Sequence, residues 1–283
     1  MKSYLALIAT DLKLAARLRV VIFFNYLFPL MIFFIFGSVF GARKSVDAIT
    51  YVLTMSVTLG ILGNGFFGAG IRAVQEREMN ILRRYKVTPI SPAPLLVASM
   101  VTGWVIFMPY VILVFTLAHV LYQMPWPAHL GGLVFFISLG LVTFRSLGLV
   151  IASVANNMQE AAILVQLCYF PMLFLSGATV PAQVFPHFVR IISNFIPATY
   201  LVNGVRGIMR EGQGLSWNAV LALVIAAILG LILSMKLFRW EKEEKIRTSA
   251  KLWIVAVLLP FLILGAWQAY KGEDSPPPPI FGR

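Results

Sequence analysis

Charge and cysteine are both scarce in this sequence. Only 12% of the 283 residues are Asp, Glu, Lys or Arg, against 59% apolar, and the mean hydropathy is +0.86. An ordinary globular chain carries about 25% charged residues, so a multi-spanning membrane protein is expected. The single cysteine, Cys168, excludes a disulfide framework, a thiolate metal cluster and a CxxC redox pair. Within LVQLCYFPM it reads as a packed apolar thiol. There is no GxxxxGK followed by Ser or Thr, and no GxGxxG between a strand and a helix, so the chain does not hydrolyse ATP alone. His119, His129 and His187 have no close metal-ligand spacing. All eleven acids (Asp11, Asp47, Glu76, Glu78, Glu160, Glu211, Glu241, Glu243, Glu244, Glu273 and Asp274) lie outside the apolar runs. Ion-coupled carriers bind their coupling ion at an ionisable group near the bilayer midplane. A transporter built without one must draw its energy from a partner chain.

What is present is a series of apolar runs. Crossing about 30 Å of hydrocarbon takes roughly 20 helical residues, and seven runs qualify: Val20–Gly41, Ile49–Ile71, Leu95–Ala118, Leu130–Ala155, Ala161–Val180, Leu215–Met235 and Leu252–Tyr270. All must be helical, because lipid cannot satisfy an open backbone and the alternation of a barrel strand is missing. With the N-terminus cytoplasmic, 15 of the 23 Lys and Arg residues fall inside and 7 outside, which favours that orientation. Trp126, Trp217, Trp240, Trp253 and Trp267 fall near span ends, as interfacial anchors do. The formal charge of +12 then suits an anionic membrane surface rather than nucleic acid.

Three connecting regions stand out. In residues 1–19, Leu5, Ile8, Leu12 and Ala15 or Ala16 recur at helical spacing, with Thr10, Lys13 and Arg17 on another face. This predicts a surface helix, the alternative being a basic topogenic leader. In residues 72–94, Val74, Ile81, Leu82 and Tyr85 form one stripe among charges, and Pro89, Pro92 and Pro94 stop the helix. It is either a short helix shaped for a groove on another protein or a solvated loop. In residues 181–216, Val184, Phe188, Ile191 and Ile192 alternate with polar residues, and a second piece begins at Pro197. Two short helices dipping into the outer leaflet would bury those faces. Within the spans, Arg145 is the lone charge, and its burial costs about 2.5–3.5 kcal/mol on insertion scales. It either caps carbonyls or meets a polar substrate. Gly60, Gly63, Gly65, Gly68 and Gly70 permit close helix packing, or a hinge or dimer face.

Three runs in order carry a family resemblance: QERE to TPISP (Gln75–Pro92), GLVIASVANNMQEA (Gly148–Ala161) leading to FLSGATVP (Phe174–Pro181), and FPHFVRIISNFIPATYLVNGVRGIM (Phe185–Met209). Over roughly Lys2–Arg239 the chain resembles the permease subunit of type-2 ABC transporters of the export type. The resemblance implies an all-α integral membrane fold: a six-span core over 20–239, preceded by an amphipathic connecting helix and fitted with outer gate helices over 181–216. Residues 240–283 add a charged linker, a seventh C-terminal span and a Pro-rich tail Ser275–Pro279. It further implies that Glu76–Val87 is a coupling helix docking on a separate ATPase, through Glu76, Arg77, Glu78, Leu82, Arg83, Arg84 and Tyr85. Asn156 and Glu160 would form a smaller second contact. Arg145, Phe185, Phe188, Arg190, Tyr200 and Arg206 would line the substrate path or gate. The chain would bind no cofactor, ATP and Mg being held by the partner ATPase. Its other partners would be a second permease copy or a paralogue and membrane lipids, in the cytoplasmic (inner) membrane. Where family members commonly continue Gly-Thr-Leu after the paired acids, this chain has Met79, Asn80, Ile81 and Leu82. An integral-membrane enzyme or assembly factor acting at the outer leaflet, with His187, Ser193 and Arg190 as its reactive groups, and an ion-driven carrier or channel are the competing readings.

Overall fold

The computed structural model describes residues 2–15, 17–41, 45–86, 91–209, 216–241, 243–244 and 253–271, with the backbone path alone for 2–6, 41, 84–86, 253–256 and 271. Every regular element among them is a helix. Helix α1 (Lys2–Ala15) is followed by α2 (Arg19–Phe40), α3 (Val46–Glu78) and the short α4 (Ile81–Lys86). Then come α5 (Pro92–Tyr122), α6 (Leu130–Val154) and α7 (Met158–Leu175). Two short helices follow, α8 (His187–Ser193) and α9 (Pro197–Met209), before α10 (Trp217–Lys236) and α11 (Trp253–Lys271). Six of these, α2, α3, α5, α6, α7 and α10, are long and apolar enough to cross a membrane. The seventh apolar run forms α11, which packs along α10 and against α8.

Burial ranks the helices. The most apolar stretch of α3 is 89% buried and that of α6 is 72%, whereas α2 and α7 reach only 28% and 22%. The central pair is therefore α3 and α6, and the glycines explain why. A Cβ on Gly148 of α6 would stand 2.1 Å from the Gly65 carbonyl oxygen of α3, and one on Gly70 would stand 2.9 Å from that of Gly148. The two backbones touch, as small residues allow between membrane helices. The glycine run is thus a packing surface inside the chain.

Two stretches depart from regular α geometry: Phe23–Leu27 in α2 and Phe66–Ile71 in α3 are π-helical. They face one another, with Phe24 and Phe67 stacked at 3.9 Å between ring centroids. Such wide turns rotate the following side chains and recur at functional positions.

The predicted coupling helix Glu76–Val87 is corrected. Glu76, Arg77 and Glu78 are the last turn of α3, which ends where the amides of Met79 and Asn80 return to Gln75 and Arg77 carbonyls at 2.9 and 3.0 Å. Asn80 has φ +57°, a left-handed conformation that Asn tolerates and that closes helices. A new helix starts at Ile81. By contrast, Ser91 and Pro92 start α5 as expected, with Ser91 extended and Pro92 at the first helical position. The side chains of Arg84 and Tyr85, residues 87–90 with Pro89, Arg210 and the tail Ser275–Pro279 lie outside the described residues.

Candidate functional site

The end of the bundle where the chain begins is held by three arginines. Arg72, near the base of α3, donates through Nε to Glu76 Oε1 at 2.9 Å and through Nη2 to Asp11 Oδ1 of α1. This ties α1 to α3. One turn later, Arg77 is buried, and its Nη1 and Nη2 donate to the carbonyls of Ala152 and Ala155 at 2.8 and 2.6 Å. Arg239, just beyond α10, comes from the other side. It donates to the Ser153 carbonyl at 3.0 Å, to the Ala155 carbonyl, to Asn156 Oδ1 at 3.0 Å and to the Glu244 carbonyl at 2.6 Å. Burial draws the Arg239 guanidinium below its ordinary pKa, with Glu244 and Glu160 opposing the shift. The last carbonyls of a helix lack partners within it and carry the negative end of its dipole. Two guanidinium groups therefore close the end of α6.

The turn into α7 is fastened as firmly. Glu78 Oε1 accepts from the Met158 amide at 2.7 Å. Asn157 caps α7 by accepting from the Glu160 amide at 2.8 Å, and Glu160 Oε2 accepts from the Asn156 amide at 3.0 Å, a reciprocal pattern close to a capping box. Of the residues assigned to ATPase coupling, Arg77, Glu78, Asn156 and Glu160 thus meet in one latch, and Glu76 stands beside it on Arg72. Leu82 is buried, and Arg83 is exposed. Met79 is 59% exposed at the tip. Sequence reading missed Asp11, Arg72 and Arg239. A charge facing a helix end has no local spacing to betray it.

Arg145 lies about 15 Å inside that end, ten residues before Ala155 at 1.5 Å each. It is 2% exposed. Its Nη1 donates to Asn64 Oδ1 and to the Asn64 carbonyl at 3.3 Å, and Nη2 to Ser99 Oγ at 2.7 Å. Asn64 in turn donates to Asn25 Oδ1 and to the Gly103 carbonyl at 3.2 Å. Asn25 sits in the π-helical turn of α2 and donates to the Val21 carbonyl at 2.7 Å. One network thus joins α2, α3, α5 and α6. No carboxylate lies within ion-pair distance of Arg145 among the described residues. Gly103 makes the room, since a Cβ there would be 2.3 Å from the guanidinium carbon.

At the opposite end, α9 is wedged between α3, α6 and α7. Arg206 donates to the Gly177 carbonyl at 2.7 Å, with its guanidinium 4.8 Å from the centroid of the Tyr51 ring. The Tyr51 hydroxyl donates to the Thr179 carbonyl at 2.7 Å. Tyr200 donates to the Asn194 carbonyl at 2.8 Å and packs on Phe261 of α11. Val184 and Phe188 are 70% and 64% exposed, with no cover from the chain itself, whereas the amphipathic α9 is buried within the bundle. Phe185 and Arg190 are half-buried, and the residues assigned to a path form no single constellation. Ser193 Oγ is committed to the Arg190 carbonyl at 2.7 Å.

Comparison with known proteins agrees with this architecture. Residues 2–210 match the family described as ABC-2 type transporter. A protein named "Putative transport permease YvfS", of Bacillus subtilis (strain 168), is 23% identical over 240 residues, 82% of this chain and 95% of that protein. The inner membrane transport permease YhhJ of Escherichia coli (strain K12) is 24% identical over 210 residues, 73% of this chain but 52% of its own length. A protein named "Probable multidrug ABC transporter permease YbhS", also of E. coli K12, is 22% identical over 199 residues, 69% of this chain and 51% of itself. With a match across most of its length and six apolar helices in place, the chain belongs to the ABC-2 type transporter family of multi-pass membrane proteins.

Proposed function

We propose that this chain is the non-catalytic membrane subunit of an ATP-driven exporter, working with a second copy or paralogue and with two separate ATPase chains that bind ATP and Mg. The observation that carries the reading is the latch, in which the base of α3 and the α6–α7 turn, 75 or more residues apart in sequence, are hydrogen-bonded into one body. A partner that moves the exposed tip at Met79 and Arg83 moves α3 and α6 together. Those two helices are the core of the bundle, and at its far end both pack against α9, which serves as the gate. The latch end is cytoplasmic, in keeping with the excess of Lys and Arg in the segments that gather there. The cargo class is a lipid, a drug or a glycoconjugate; the name carried by YbhS favours drugs.

A charge reversal at the tip tests this. Glu76 and Glu78 are bound within the chain, so reversing them would loosen the subunit itself. Arg83→Glu combined with Met79→Glu alters only exposed side chains. In proteoliposomes holding the subunit with its cognate ATPase, the double variant is expected to insert and fold normally while losing most ATP-driven transport. Undiminished transport overturns the reading.

A further inference from the structure

Helix α11 lies beyond the matched residues 2–210 and beyond the six-span core. One of its faces is buried: Val257, Phe261 and Gly265 recur every four residues along it, while Leu259, Ile263 and Tyr270 on the other face are exposed. The buried face runs along α10 and, further on, meets the turn 194–196 that joins α8 to α9. There the Phe261 ring lies against that of Tyr200 in the first turn of α9, at 5.4 Å between centroids. One turn later the approach is closer still. A Cβ on Gly265 would stand 2.8 Å from the Asn194 carbonyl oxygen and 2.8 Å from Phe195 Cδ1, so only glycine lets the helix rest on the turn.

The two groups that α11 touches belong to one unit. The Tyr200 hydroxyl donates to the Asn194 carbonyl at 2.8 Å, and Thr199 Oγ1 donates to the Ser193 carbonyl at 2.6 Å, so the turn and the start of α9 are knotted together. Support for that unit from the outside of the bundle is thin. Helix α8 packs against α7 and α11, its Phe188 and Ile192 are exposed, and α7 is the least buried of the six long helices. From this geometry we infer that α11 is a brace holding the α8–α9 turn in place against α10, with Phe261 and Gly265 as its positioning residues. A contact made in one position of the turn and lost in another biases the equilibrium towards the first, so the brace sets how readily the gate opens. That consequence rests on α9 serving as the gate; the bracing itself does not.

A nitroxide on Ile192→Cys, at an exposed position of α8, reports on the turn in a Cys168→Ala background. It is read in proteoliposomes holding the subunit with its cognate ATPase, first without nucleotide. Phe261→Ala, which removes the ring beside Tyr200, and Gly265→Leu, which wedges α11 away, are each expected to shift the spectrum towards its mobile component. Phe107→Ala opens a gap of the same size between α5 and α3, where that ring lies on Gly60, and is expected to leave the spectrum unchanged. Should either brace variant not fold, Gly265→Ala, a smaller wedge, takes its place. ATP is expected to shift the spectrum of the labelled protein with Phe261 in place, and Phe261→Ala to show the shifted spectrum before ATP is added. A spectrum that no brace variant moves, or that Phe107→Ala moves as far, overturns the proposal. One that the brace variants move and ATP does not upholds the brace and sinks the assignment of α9 as the gate.

Discussion

Gly148 and Gly65 stand where α6 and α3 meet backbone to backbone, so the smallest side chain is already too large. Gly148→Ala would drive a methyl to 2.1 Å from the Gly65 carbonyl oxygen. Overpacking of this kind is unfavourable by about 1–3 kcal/mol, which should appear as a lower unfolding midpoint in detergent. Gly68 of α3, three residues from Gly65, is the internal control. A Cβ there meets its nearest atom, Arg145 Nη1, at 3.6 Å, an ordinary contact, so Gly68→Ala is expected to leave the midpoint unchanged. Gly65, which the Gly148 methyl would strike, and Gly68 are indistinguishable in the sequence, where both belong to one small-residue run. Arg145 teaches the same lesson. Its burial is legible from an otherwise uncharged apolar run, yet its partners Asn64 and Ser99, and Asn25 behind Asn64, come from three other helices and follow no spacing rule.

Among the elements, the end of α6 depends most on the rest of the chain. Arg77 and Arg239 reach it from α3 and from beyond α10, each supplying hydrogen bonds to charged groups worth about 1.5–3 kcal/mol. Arg239→Ala is expected to release the segment after α10, because it removes the contacts to Ser153, Ala155, Asn156 and Glu244 together. The readout is limited proteolysis, with faster cutting after Lys236 while the six long helices stay intact. Unchanged cutting would show that Arg239 does not hold the segment. Helix boundaries were read well from sequence wherever a strong local signal stood, as at Ser91 and Pro92. The break between α3 and α4 was missed because an amphipathic stripe continues through Met79 and Asn80, and nothing in that stripe reveals a left-handed Asn.

For the molecule as a whole, the exposed flanks of the long helices are apolar because their solvent is lipid. Side chains such as Ile112 and Leu167, each 68% exposed, have no packing role inside the chain. A nitroxide on Ile112→Cys, in a Cys168→Ala background, should be relaxed strongly by lipid-soluble oxygen. One on Val114→Cys, which is fully buried, should be shielded. Equal relaxation at both positions would contradict the packing of α5. By itself the sequence determined that the chain is helical and membrane-embedded, how many apolar runs it has and about where they end, because hydrocarbon leaves a backbone no other way to satisfy its amides and each run must match the bilayer's thickness. Only the tertiary structure decided which polar groups meet: Arg145 with Asn64, two arginines on one helix end, Asp11 beside Arg72. Those pairings join residues 61 to 86 positions apart, set by how helices pack against each other rather than by any local pattern.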